Sequence, residues 1–221
     1  MQLYRPEFPL MPSYERFVAL MPRVVMTLSV LLHTLLSKSS NISYIDSTSI
    51  SVCHNKRISR NKVFKRIAAL GKTTKGWFFG FKLHIIINEK GGLVKVSMSK
   101  GNKDDRSQVM IMSNNIKGLL FGDKGYISKS LFLALYKRGL KLVTGLKKGM
   151  KNCFLSLEGK IFLRKRSIVE TVFDYLKNKL QLEHSRHRSP VNAFIHITTL
   201  ITYQLKAKKP SITNTYHRPN P

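Results

Sequence analysis

The sequence predicts an α/β fold, a mixed sheet with helices on its faces. Three observations carry that prediction. The run Tyr44-Ile45-Asp46-Ser47-Thr48-Ser49-Ile50-Ser51-Val52 is rich in β-branched residues and has the length of a strand. Two further apolar runs, Phe81 to Asn88 and Leu93 to Ser99, flank Glu89-Lys90-Gly91-Gly92, which reads as the turn of a strand pair. Beyond residue 100 the pattern alternates between helical spacing and short apolar runs, as helices laid against a sheet require.

Taken in order, Tyr14 to Leu36 shows a helical apolar pattern broken at Pro22, and residues 37–41 read as a loop. The first strand follows, then a basic insertion over 54–80 without a strong period, then the strand pair. Asp104 can cap a helix reaching Asn114, and Leu119 to Asp123 is a short strand ending at Lys124-Gly125. Ser128 can cap a helix whose Leu131, Leu135 and Tyr136 recur at helical spacing. Lys141 to Leu146 is the fifth strand, Ser167 to Leu180 a helix, and a last helix runs from near Pro190 to Gln204. The expected organisation is a helical segment over 1–40, an α/β domain over 41–206 and a tail over 207–221.

Composition limits the function. Thirty-nine Lys and Arg stand against eleven Asp and Glu, a formal charge of +28, so a polyanion is the expected partner and nucleic acid the commonest one. A hydrophobic content of 43% is enough for a packed core, which excludes a disordered basic tail. Cys53 and Cys153 form no C-x-x-C, which argues against a disulfide framework or a cysteine zinc site and fits a reducing cytoplasm. The most apolar stretch, Val24 to Leu36, is short for a bilayer and reads as a buried helix, so no membrane partner is expected.

Among so few acids, Asp46 and Asp123 stand out because each ends or interrupts an apolar strand run, where an unpartnered carboxylate costs several kcal/mol. Taken singly, each reads equally well as a turn-capping Asp. Glu170 sits at the border of an apolar helix face formed by Val169, Phe173, Leu176 and Leu180, with Arg166 and Lys177 along its edge. Together, two strand-end aspartates and a helix-border glutamate would form an oxygen-ligand site suited to Mg²⁺. Without cations, three adjacent carboxylates would raise one another's pKa.

Asp46 in YIDST, Asp123 in FGDKGY and Glu170 in RKRSIVETVFDYLKN resemble the acidic triad of bacterial insertion-sequence transposases with a ribonuclease-H-like core. Arg166 and Lys177 match most of the signature around the glutamate of such enzymes; Leu163 stands where related families carry Tyr. The stretches VCHNKRI, GKTTKGWFFGFKLH, GNKDDRSQV, LKKGMKN and EHSRHRSPVN are similar to the insertion-sequence family numbered nine-eighty-two, with the N-terminal part shortened. The resemblance implies a ribonuclease-H-like five-stranded mixed sheet flanked by helices. It also implies metal-dependent cleavage and strand transfer on double-stranded DNA, a homodimer in a synaptic complex, and a nucleoid-associated cytoplasmic protein. Its cofactor would be two Mg²⁺ ions, with Mn²⁺ as a substitute, held by Asp46, Asp123 and Glu170. A stand-alone nuclease and a remnant that binds DNA without cutting it are the alternatives.

Between Asp46 and Glu89 there is no acid, while Lys56, Arg57, Arg60, Lys62, Lys65, Arg66, Lys72, Lys75 and Lys82 accumulate. So dense an unneutralised run would repel itself, and phosphate contact is the better reading. Lys147, Lys148, Arg186 and Arg188 extend the expected DNA-contact set, joined by Arg166 and Lys177. Trp77-Phe78-Phe79 reads as core, Asp104 and Asp105 as caps, and Lys82 with His84 as a pair able to face the site from one strand. No Gly-rich nucleotide cradle is present.

Overall fold

The computed structural model describes residues 10–74, 76–146, 157–183 and 187–206. Lys75, Lys147, Lys148, Arg186 and the tail expected at 207–221 lie outside these residues.

Strand β1 (Ile42–Ser51) is the organising element. On one side it pairs antiparallel with β3 (Gly76–Asn88), Asp46 opposite Ile85; on the other it runs parallel to β5 (Gly118–Gly122), Tyr44 opposite Phe121. Strand β4 (Leu93–Lys100) continues the antiparallel side and β6 (Leu140–Thr144) the parallel side. The order β4-β3-β1-β5-β6 gives the expected five-stranded mixed sheet flanked by helices. A sixth strand, β2 (Ala69–Thr73), pairs with the first part of β3.

That sixth strand is the departure in the basic insertion. Residues 76–80 extend β3 five residues before the expected start at Phe81, and β2 folds back on them. ALGKT carries a glycine and no alternation, so its strand character comes from its partner rather than from its own pattern. Gly80 permits the close approach of β3 to β1, because a Cβ there would lie 1.9 Å from the Ile50 carbonyl oxygen.

Each face of the sheet buries its own core. On the first, Tyr44, Leu83, Ile85 and Phe121 meet α6 (Ser167–Asp174) and α7 (Pro190–Lys206) through Val169, Val172, Phe173, Ile197 and Ile201. Tyr44 and Phe121 bring their ring centroids to 5.6 Å across neighbouring strands. On the second face, Ile45, Ile86 and Leu120 meet α3 (Asp105–Met112) and α4 (Lys129–Tyr136) through Val109, Met112, Leu131 and Leu135. The expected caps are present: the Asp104 side chain accepts from the Arg106 N–H and Ser128 Oγ from the Leu131 N–H. Helix α5 (Leu157–Arg164) was not expected from its sequence, where Gly159 precedes three consecutive apolar residues.

Two helices depart from expectation. In the first, Pro22 interrupts the α-helix as expected, without ending the helical run: α1 (Tyr14–Leu20) passes through a 3-10 turn (Met21–Val24) into α2 (Val25–Leu35), and the proline occupies an early position of that turn where no N–H is needed. The segment is not buried, against the expectation. No residue of the run is fully covered, and Leu32 and Leu36 only lean on the core beside α7. As a continuous 22-residue run of mean hydropathy 1.7, Tyr14–Leu35 is long and apolar enough to cross a membrane, which overturns the reading of a segment too short to do so. A single such helix also occurs in soluble proteins and in signal sequences.

The expected helix from Ser167 to Leu180 is the second departure. It is α-helical only to Asp174 and continues as a π-turn over Tyr175–Lys179, closed by the Leu180 N–H bonded to the Tyr175 carbonyl.

Candidate functional site

Asp46 lies in the middle of β1 on the first sheet face, beside the buried Tyr44, Ile45 and Ile85 and before the half-buried Ser47, Thr48 and Ser49. Its side chain is 20% exposed. One carboxylate oxygen accepts the Ser47 N–H at 2.8 Å; the other accepts from Arg166 Nη1 at 2.9 Å. Burial pushes its pKa from 3.8 up to about 6, against the lowering effect of the Ser47 N–H and Arg166. Asp123 and Glu170 add to the rise as nearby negative charges, which places each of them within electrostatic reach of Asp46.

Asp123 follows β5 directly. Tyr44 and Phe121 are partners in parallel strands, so Asp46 and Asp123, each two residues further on, emerge at the same edge. The Asp123 carboxylate accepts the Lys124 N–H at 2.6 Å and starts the 3-10 turn Lys124–Tyr126, so the turn-capping alternative is what its hydrogen bond shows. Glu170 stands on α6 at the edge of its buried face, 60% exposed, and accepts from Arg166 Nη2 at 3.1 Å. Arg166 is thus more than the expected helix-edge partner of Glu170. Its fork spans Asp46 and Glu170, tying α6 to the sheet centre.

Lys177 does not stack along Glu170 as the helical wheel suggests. The π-turn takes more residues per turn than an α-helix, so a wheel drawn at α-helical spacing misplaces it. It pairs instead with Glu183 at 3.3 Å, and Glu183 accepts the Ser51 N–H at 3.2 Å, clamping the end of β1. Glu183 was passed over in the sequence. Its signal was an acid directly following a buried leucine in a chain with few acids.

Lys82 and His84 share a strand face, as expected, but it is the face opposite Asp46. Lys82 is committed to Asp105 at 2.9 Å and to the Lys103 carbonyl. His84 is buried beside Ser99 Oγ at 2.8 Å, and burial lowers its pKa from 6.5 to about 4. Asp105 is therefore an ion-pair partner rather than a simple cap. Lys56, Arg57, Arg60, Lys65, Arg66, Lys72 and Arg188 are exposed, and among the described residues none of them forms an ion pair. Phe78 and Phe79 are core, whereas Trp77 is 55% exposed, against the expectation for the cluster.

Oxygen donors around Asp46 suit a hard divalent cation. Among the described residues, however, no three His, Cys, Asp or Glu side chains are gathered as a ready-made metal site. Between Asp46 and Glu170 stands the Arg166 guanidinium, so a cation joining these carboxylates must displace it.

The family described as Transposase DDE domain matches residues 36–190, more than half of the chain and all three carboxylates. The chain belongs to this transposase family. No curated protein matches the chain. Among solved structures, the transposase chain is similar to a piggyBac transposase synaptic complex with hairpin DNA at 9% identity and a TM-score of 0.48, covering 81% of this chain and 52% of that one. It is similar to a simian T-cell lymphotropic virus intasome in complex with PP2A regulatory subunit B56 gamma at 13% identity and a TM-score of 0.34, covering 84% and 58%. The Mos1 strand transfer complex gives 12% identity and a TM-score of 0.30, covering 87% and 62%. The transposase chain therefore spans between about half and two thirds of the length of these structures.

Proposed function

We propose that this transposase domain cleaves DNA strands at the ends of a bacterial insertion sequence, of the family numbered nine-eighty-two, and joins the freed 3′ ends to target DNA. The observation that carries the reading is the Arg166 fork, which joins the buried Asp46 to Glu170 beside the strand end bearing Asp123. In each step a nucleophilic oxygen attacks phosphorus while the phosphorus–O3′ bond breaks; the nucleophile loses a proton and the departing oxygen gains one. Asp46, Asp123 and Glu170 would hold two Mg²⁺ ions, or Mn²⁺ in their place, whose charge supplies stabilisation to the attacking and leaving oxygens.

The protein's own contribution is positioning. β1 and β5 present two carboxylates from the rigid sheet, and α6 presents the third from a face locked by Val169, Val172 and Phe173. A backbone phosphate competes with Asp46 and Glu170 for the donors of Arg166, so DNA entering the site draws the guanidinium away from the carboxylates. Exposed cations of the insertion, Lys56, Arg57, Arg60 and Lys65, provide the phosphate track leading there. Synapsis of two element ends calls for a homodimer, and a cytoplasmic, nucleoid-associated location follows from the substrate.

The test is Mg²⁺-dependent nicking and joining on DNA carrying the element's terminal repeats, with full activity of Asp46→Asn as the result that sinks the assignment. One observation favours a second reading, a chain that binds DNA without cutting it: the described residues hold no ready-made cluster of three ligands. Salt-sensitive DNA binding with no cleavage in Mg²⁺ or Mn²⁺ would select that reading.

A further inference from the structure

The tryptophan of the insertion hairpin has no role in the site described above. Trp77 is the single tryptophan of the chain and the second residue of β3. Its neighbours Phe78 and Phe79 are buried, yet its own side chain is 55% exposed. Directly opposite on β2 is Lys72, whose ammonium lies 5.5 Å from the indole centroid. A bare indole is expensive to leave in water, and indoles are enriched where a partner covers them. The charge around it selects the partner: there is no acid between Asp46 and Glu89, so a surface docking here must be anionic.

Register gives the direction. Ile85 is the partner of Asp46, and Trp77 lies eight residues earlier on the same strand, hence on the same sheet face. At about 3.3 Å per residue the separation along the strand is about 26 Å. DNA rises about 3.4 Å per nucleotide along one strand, so the same span is about seven or eight nucleotides. The segment bearing Lys56, Arg57, Arg60 and Lys65 lies between Asp46 and Trp77 in the chain and pairs with neither strand of the hairpin.

We infer that Trp77, assisted by Lys72, is a stacking platform for an unpaired base in the bound DNA, about seven or eight nucleotides from the phosphate at Asp46. An aromatic face beside a lysine in a cation-lined path is the combination that holds single-stranded nucleotides, because every base offers a flat face once it leaves the stack. In an intact duplex those faces are covered, so the contact recognises distorted or single-stranded DNA at that position. The inference rests on the DNA-binding reading above.

With one tryptophan, intrinsic fluorescence reports on this residue alone. The full chain is titrated with a labelled duplex and with the same duplex bearing one extrahelical base; label anisotropy reads binding and indole emission reads stacking. The expected result is binding to both DNAs, strong quenching only with the extrahelical base, and about tenfold tighter binding of that DNA, within the range for base–aromatic stacking. Trp77→Phe keeps the preference and Trp77→Ala removes it, while both retain the wild-type circular dichroism spectrum and bind the paired duplex. Binding of both DNAs with unchanged emission, or an unchanged preference in Trp77→Ala, overturns the inference and leaves the proposed function standing. Absence of binding to any DNA overturns both.

Discussion

Replacing Asp46 by Asn is expected to make the metal-free protein more stable at neutral pH, even as it removes a proposed ligand. Burial raises this carboxyl from 3.8 to about 6 despite its bonds to Ser47 and Arg166. At about 1.4 kcal/mol for each tenfold change in proton affinity, holding the ionised group in the fold costs about 3 kcal/mol. Well below pH 3.8 the carboxyl is protonated in both folded and unfolded chains and the cost is absent. As pH rises toward 6 the unfolded chain releases its proton first, so wild-type stability falls, and above 6 the full cost applies. Asn keeps the shape and an acceptor oxygen for Arg166, which also retains Glu170. The assay is urea unfolding in EDTA at intervals from pH 3.5 to 7.5, followed by circular dichroism. The variant should gain on wild type across pH 4 to 6, by about 3 kcal/mol at most, and hold a constant advantage above that. Equal stability at pH 7, or a difference that does not change between pH 4 and 6, would refute the reasoning.

Three further outcomes follow from the same geometry. His84 has its pKa lowered by burial to about 4, so the stability tied to its neutral form is present above 6.5 and lost as pH falls toward 4; His84→Gln, which can still bond Ser99 Oγ, should flatten that acid limb in the same unfolding series. Its slope opposes that of Asp46 but is common to both proteins of the Asp46 comparison, and so drops out of the difference. Arg166→Gln frees Asp46 and Glu170 from an internal cation, and titration with Mn²⁺ followed by electron paramagnetic resonance should show tighter metal binding without DNA than in wild type. Lys56→Ala with Arg57→Ala removes two exposed cations, and the slope of log affinity against log salt for duplex DNA should become shallower by about two.

Much of the fold was legible because its signals are local. The β-branched run of β1, the glycine turn between β3 and β4 and the caps Asp104 and Ser128 each act over a few residues, and each appears where its chemistry places it. What escaped depended on partners distant in sequence. β2 has no alternation of its own and is a strand because β3 extends past β1 to receive it. Trp77 looked like its phenylalanine neighbours, and only the end of the sheet decides that Phe79 is covered while Trp77, two residues earlier on the same face, is not. The N-terminal helix carried the strongest apolar signal in the chain, yet hydropathy does not say whether a neighbour exists to bury it.

The candidate site divides along the same line. By itself the sequence singled out three carboxylates in a basic chain, made a polyanion the expected partner, and placed Arg166 one helical turn before Glu170. Only the tertiary structure decided that the other half of that arginine fork reaches Asp46, that Lys177 turns to Glu183, and that Lys82 and His84 face away from the site. Spacing within one helix specifies neighbours at three and four residues and nothing across the sheet. The pairings between elements follow from strand register and from a single π-turn, which are settled when the elements pack.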